Sequence, residues 1–202
     1  MIDLYTWTTP NGRKISIMLE EAGLSYKVHP VDISQDEQFS PEFLKINPNN
    51  KIPAIIDHEN GKSFSLFESG AILIYLAEKT GKLLSKDKHQ RAITIQWLMF
   101  QMANAGPMLG QLHHFLRYAE DNAYAINRYS KETQRIYGVL DKHLSESEFL
   151  AKDYSIADIA VFPWIALYER HLIDISNFEH IKRWFDDIQA RPAVQRGLQV
   201  PA

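Results

Sequence analysis

The sequence predicts two architectures in one chain: an α/β unit first, then an all-α remainder. Three observations carry this. Strand-type and helix-type patterns alternate up to Gly81, in the order βαβ and then αββα. Composition then turns polar and charged from Lys82 to Lys88. After that stretch only helical periodicity is found. The expected division is an N-terminal domain over residues 1–81, a linker over 82–87 and a helical domain over 88–202.

Each element has a local reason. Residues 2–7 alternate and include aromatics, which predicts a strand. Thr8-Thr9-Pro10-Asn11-Gly12 is a turn cluster. From Arg13 to Ala22, Ile15, Met18, Leu19 and Ala22 fall on one helical face, and Gly23 supplies a stop. Tyr26 to Ile33 predicts a second strand, parallel to the first across the helical crossover. Pro41 opens a short helix to Ile46. A β-branched strand then runs to His58, Glu59-Asn60-Gly61-Lys62 carries the Asn-Gly hairpin signal, and Ser63 to Phe67 returns. Glu68-Ser69-Gly70 begins a helix closed by Gly81. In the second half, helices are expected over 91–115 (interrupted at Gly106-Pro107), 124–144, 155–172 and 181–190, the last ending before Pro192.

Composition excludes several function classes. A net charge of −3 without long runs of one sign offers nothing to nucleic acid or to an anionic membrane. No apolar stretch matches a bilayer's thickness, and Met1-Ile2-Asp3-Leu4-Tyr5 lacks the basic and apolar regions of a secretory signal, so a cytoplasmic protein is expected. The chain has no cysteine, which removes disulfides, thiolate metal sites and a protein thiol nucleophile. Sulfur chemistry here requires sulfur brought by a ligand.

The most informative stretch is Asn49-Asn50-Lys51-Ile52-Pro53-Ala54-Ile55-Ile56, a polar turn running into a strand through a proline. Proline cannot donate to a sheet ladder, so Pro53 belongs at a strand's first residue or at an edge. The bond before it is a candidate for the cis form, with an ordinary trans bond as the alternative. Glu68-Ser69 opens a helix, where main-chain N–H groups without helical partners favour an anion; an N-cap beside an exposed acid reads equally well. Ser155-Ile156-Ala157-Asp158 has the form of a capping box, whose loss in Asp158→Ala is expected to cost about 1–2 kcal/mol. His113-His114 are adjacent on a helix and diverge, with no third ligand spaced to join them, so no metal is expected.

Thr9-Pro10-Asn11-Gly12, Asn49 to Ile55, Leu66-Phe67-Glu68-Ser69-Gly70-Ala71-Ile72 and Tyr154 to Ala160, spread over the whole chain, resemble the cytosolic glutathione transferases. They are most similar to the bacterial nu-class members, glutathione-dependent disulfide-bond oxidoreductases, and also to the glutathione-binding half of a fungal nitrogen regulator. The resemblance implies a thioredoxin-like N-terminal domain, a helical C-terminal domain, a cis Ile52–Pro53 bond and a two-fold homodimer. It implies glutathione as cosubstrate and a small disulfide or electrophile as the second substrate.

It also implies a partner for each part of the tripeptide. Ser69 holds the γ-glutamyl carboxylate and Glu68 its ammonium. Ile52, with Pro53, pairs main chain to main chain with the cysteinyl residue. Lys51 and Gln38 meet the glycyl carboxylate, and Arg128 of the helical half reaches the ligand. Thr9 and Asn11, at the start of the first helix, donate to the thiolate. Tyr5 lies inside the first strand and reads as a packing residue. The leading expectation is a disulfide-bond oxidoreductase working through glutathione's own thiolate. Conjugation of glutathione to electrophiles and non-catalytic binding of glutathione are the alternatives.

Overall fold

The computed structural model describes residues 1–59 and 61–201. The chain divides into two compact units, residues 1–84 with 190–202, and residues 85–189. In the first unit the elements are β1 (Ile2–Thr6), α1 (Pro10–Ala22), β2 (Tyr26–Pro30), α2 (Pro41–Leu44), β3 (Ala54–Glu59), β4 (Lys62–Phe67) and α3 (Ser69–Thr80). The sheet order is β2-β1-β3-β4. β1 pairs parallel with β2, and β3 pairs antiparallel with both β1 and β4. This is the mixed four-stranded sheet of a thioredoxin-like domain. Asn60 of the expected Asn-Gly turn lies outside the described residues.

Alternation along β1 decides what each face of the sheet does. Ile2, Leu4 and Thr6 are buried on one side. Tyr5 points to the other, where it packs with Val31, Phe43, Ile46 and Ala54. Gly12 shows how closely α1 approaches the end of β1. A side chain there would run into Thr6 Oγ1 and the carbonyl of Trp7, so only glycine fits.

Several element limits differ from the expected ones. α1 starts at Pro10, not Arg13, because Thr9 caps it and proline suits its first position. β2 stops at Pro30, and Ile33–Gln35 and Glu37–Phe39 are short 3₁₀ turns. Residues 190–202, expected with the helical half, fold into the first unit instead. Their helix, α9 (Pro192–Gly197), lies against α1 so closely that a Cβ on Gly197 would meet Ile17 Cα at 2.6 Å. Ser16 donates to the Gly197 carbonyl at 2.6 Å. Arg191 and Arg196 pair with Glu21 and Glu20. Pro192 therefore begins a helix as well as ending one.

The second unit contains α4 (Lys88–Phe100), α5 (Gly106–Tyr118), α6 (Ala123–Leu144), α7 (Ile156–Ile165) and α8 (Glu179–Gln189). The expected break at Gly106-Pro107 is instead a widened π-helical turn over Gln101–Ala105, which lets α4 run into α5 without a loop. Such a turn absorbs the hydrogen bond and the space that proline denies a regular helix. α7 ends at Ile165, short of Leu172, with Pro163 in its last turn. Its N-terminus is the expected capping box. Asp158 is fully buried and accepts from the Ser155 N–H and hydroxyl, both at 3.0 Å. The same carboxylate also accepts from the Leu150 N–H and from Trp184 Nε1, each at 2.9 Å. Burial pushes its pKa up, and these donors oppose the shift.

Candidate glutathione site

The first unit presents two helix N-termini and one loop. At α1, Thr9 is extended (φ −121°, ψ 159°) and its Oγ1 accepts from the Gly12 N–H at 3.1 Å. The lone pair is used inward, so the hydroxyl hydrogen remains a donor. Asn11 is the second residue of the helix, within the turn whose N–H groups have no carbonyl four residues back.

The loop before β3 is built by a buried asparagine. Asn47 Nδ2 donates to the Lys51 carbonyl at 2.6 Å, and its Oδ1 accepts from the Asn49 N–H at 2.9 Å. This fixes the backbone that leads into Ile52. The Ile52–Pro53 bond is cis. Among the described residues no main-chain hydrogen bond uses the N–H or C=O of Ile52, as an edge that receives an extended peptide requires. Lys51 is exposed at the same loop. Gln38 sits on the 3₁₀ turn at 37–39, its Nε2 3.5 Å from Asp36 Oδ1 and its buried Oε1 without a partner.

At α3 the N-cap is Glu68, with φ 69° and ψ 112° and no side-chain cap. A non-glycine residue held there costs about 1–3 kcal/mol, and such strain concentrates at ligand clamps. Glu68 is exposed, and Ser69 behind it is buried. Lys14 of α1, 1% exposed, donates through Nζ to Ser69 Oγ at 3.4 Å. Burial pushes the Lys14 ammonium down to about 7, opposed by the charge of Glu68.

A family description of the N-terminal domain of glutathione S-transferases matches residues 1–78, and one of their C-terminal domain matches residues 97–192. The chain belongs to the glutathione transferase family. It is 53% identical, over 98% of its length and 94% of the relative's, to the disulfide-bond oxidoreductase YfcG of Escherichia coli. It superposes with a TM-score of 0.95 on a Pseudomonas putida glutathione transferase carrying one glutathione disulfide per subunit. That match is 48% identical and covers 100% of this chain and 92% of the other. A Pseudomonas fluorescens member with two glutathiones bound gives 0.94 at 51% identity, covering 99% and 93%.

Within this transferase fold, the first unit holds Thr9, Asn11, Gln38, Lys51, Ile52, Pro53, Glu68 and Ser69 on its loops and helix starts. Arg128 belongs to the second unit, exposed on α6 beside Tyr124, Asn127, Glu132 and Arg135, which line a cavity with it. Tyr5 stacks on His29 at 4.7 Å and packs on Phe43. Alternation puts it on the sheet face away from Thr6 and Gly12, and burial pushes its phenol up. His113 meets His171 edge to face at 6.4 Å. Among the described residues no group of three His, Cys, Asp or Glu side chains is arranged to hold a metal ion. Sequence reasoning missed Asn47 and Lys14. Asn47-Pro48 is a detectable turn signal, whereas Lys14 lies off the apolar face formed by Ile15, Met18, Leu19 and Ala22 and carries no signal of its own.

Proposed function

We propose that this transferase is a glutathione-dependent disulfide-bond oxidoreductase that reduces small disulfides with the thiolate of bound glutathione. The observation that carries the reading is the start of α1: a hydroxyl donor and an amide residue on a helix N-terminus, in a chain without any cysteine. The name of the Escherichia coli relative and the glutathione disulfide in the Pseudomonas putida structure support it.

The tripeptide lies extended along the cis-proline loop in this reading, its cysteinyl main chain paired with Ile52. Glu68 takes the γ-glutamyl ammonium, and Ser69 takes the carboxylate through its hydroxyl and the helix N-terminus. Lys51 and Gln38 take the glycyl carboxylate, and Arg128 offers a second carboxylate contact. Thr9 and Asn11 donate to the sulfur, which favours the thiolate over the thiol. The thiolate attacks one sulfur of the disulfide, forming a mixed disulfide with glutathione and expelling the other sulfur as a thiolate, which takes a proton. A second glutathione attacks the mixed disulfide, so two glutathiones are oxidised to one glutathione disulfide and the substrate leaves as two thiols. The protein supplies position and electrostatics and forms no covalent bond. The reading includes a two-fold homodimer in the cytoplasm.

The test measures glutathione-dependent reduction of a small disulfide, coupled to NADPH oxidation by glutathione reductase, beside conjugation of an aryl halide. Disulfide turnover well above conjugation is expected. Conjugation dominating would make the chain a conventional transferase, and neither reaction above background would leave a glutathione-binding protein.

A further inference from the structure

Four polar side chains stand in a row across the sheet, and the roles above use none of them. His29 of β2, Asp3 of β1, His58 of β3 and Ser63 of β4 lie on the face that also carries Tyr5. We propose that Ser63, His58 and Asp3 form a second catalytic centre, a serine nucleophile with its base and an orienting acid, which cleaves small activated carboxylic esters without glutathione.

The side chains are connected as such a centre requires. Asp3 Oδ2 lies 2.8 Å from His58 Nε2, and Ser63 Oγ lies 2.9 Å from His58 Nδ1. An ionised carboxylate can only accept, so Nε2 carries the hydrogen of the neutral ring. Nδ1 then presents its lone pair, and the Ser63 hydroxyl donates to it. This is the connectivity of a serine-histidine-aspartate triad with the two ring nitrogens exchanged, and such triads are defined by roles and geometry. The other oxygen of Asp3 lies 3.1 Å from His29 Nε2, which fixes the rotation of the carboxylate.

The backbone adds a donor for the oxyanion. The His58 N–H donates to the Met1 carbonyl at 3.0 Å, and the Met1 amine donates to the His58 carbonyl at 3.3 Å. The main-chain groups of His58 therefore face β1. Ser63 is the residue opposite His58 in the antiparallel pair, so its own groups point away from β3. Among the described residues no strand lies beyond β4, so the Ser63 N–H faces out of the sheet edge. It can hold the negative oxygen that forms when the hydroxyl beside it attacks a carbonyl. Ser63 is exposed, the His58 side chain is 41% exposed and that of Asp3 is 17% exposed. Substrate reaches the nucleophile while the acid is shielded. A serine on an open edge gives a large substrate little to bind, which restricts the class to small esters with good leaving groups.

The reaction is a plain acyl transfer. Ser63 Oγ bonds to the ester carbonyl carbon as its proton passes to His58 Nδ1. The ester C–O bond breaks, and the leaving oxygen takes that proton. Water then attacks the acyl-serine and gives a proton to Nδ1, and Ser63 Oγ departs and recovers it. One ester and one water become one acid and one alcohol.

The experiment incubates the full chain with p-nitrophenyl acetate in the absence of glutathione. Release of p-nitrophenol is followed, and peptide mass spectrometry locates the acetyl group. A burst of about one p-nitrophenol per chain, with the acetyl on Ser63, is expected. Ser63→Ala and His58→Gln should each remove the burst. Asp3→Asn should lower kcat by about a hundredfold or more with KM unchanged, because the ring is then held in the wrong tautomer. An Asp3 that only braces the strands would lower the melting temperature and leave kcat intact, which would overturn its role. Acetyl on lysines or the N-terminal amine with Ser63 unmodified, or a burst that survives Ser63→Ala, overturns the centre as a whole. The map of the wild-type chain decides this even if a variant fails to fold.

Discussion

Two helix starts, α3 and α7, face the same physical demand and meet it in opposite ways. Each begins with N–H groups that no carbonyl of its own helix can satisfy. At α7 the chain closes the end on itself: Ser155 and Asp158 cap one another, and the carboxylate also collects Leu150 and Trp184. At α3 the N-cap is Glu68, turned to positive φ, with no side-chain cap and with its carboxylate exposed. The first start is closed to a ligand. The second keeps its backbone strained and its acid on the surface. The difference teaches that a serine and an acid beside a helix start do not by themselves mark a site. What separates the two starts is where the acid's oxygens go.

The comparison is broken most severely by Asp158→Ala. Removing this carboxylate strands the Leu150 and Ser155 N–H groups and the Trp184 indole N–H in the core. The loss should be about 4 kcal/mol, above the 1–2 kcal/mol of a simple cap, because orphaned buried donors retain their full desolvation cost. Chemical denaturation reads it directly, and a loss near 1 kcal/mol would reduce the network to an ordinary cap. Thr9→Ala combined with Asn11→Ala should lower disulfide turnover by about a hundredfold with glutathione affinity nearly unchanged, as loss of donors to a developing charge does. Steady-state kinetics beside equilibrium binding separate the two, and loss of affinity with turnover intact would reject these residues as thiolate donors. Glu68→Gly sharpens the contrast from the other side. Glycine accepts the positive φ, so stability should rise by about 1 kcal/mol. Glutathione should bind more weakly for want of a carboxylate to meet its ammonium. A variant that is less stable would show that Glu68 serves the fold.

How much of this was legible in the sequence depends on how local the cause is. The turn from Thr9 to Gly12 and the box at Ser155 are defined within four or five residues, and their types fix the geometry; Pro53 marks the start of β3 by itself, but the residues alone left its bond open between cis and trans, and the cis form was implied only by the family resemblance. The parallel crossover and the mixed sheet follow from element order. Lys14 was not legible, because the helical pattern assigned α1 a single buried face through Ile15, Met18, Leu19 and Ala22. In the structure Lys14, Ser16 and Ile17 are buried too. The cause lies some 180 residues away along the chain, where α9 covers a second face of α1. Asp158 was legible as a cap and illegible as a hub, since Leu150 and Trp184 come from outside the box.

The return of residues 190–202 to the first unit has a consequence for how the chain can be divided. In covalent terms the helical unit is an insertion: the backbone leaves the sheet-bearing unit at Leu84 and comes back at Ala190. A fragment ending at Leu84 would carry every strand of the sheet but would lack the helix that seals Ile17 and answers Glu20 and Glu21. The sheet-bearing unit is therefore discontinuous in sequence, built from residues 1–84 together with 190–201.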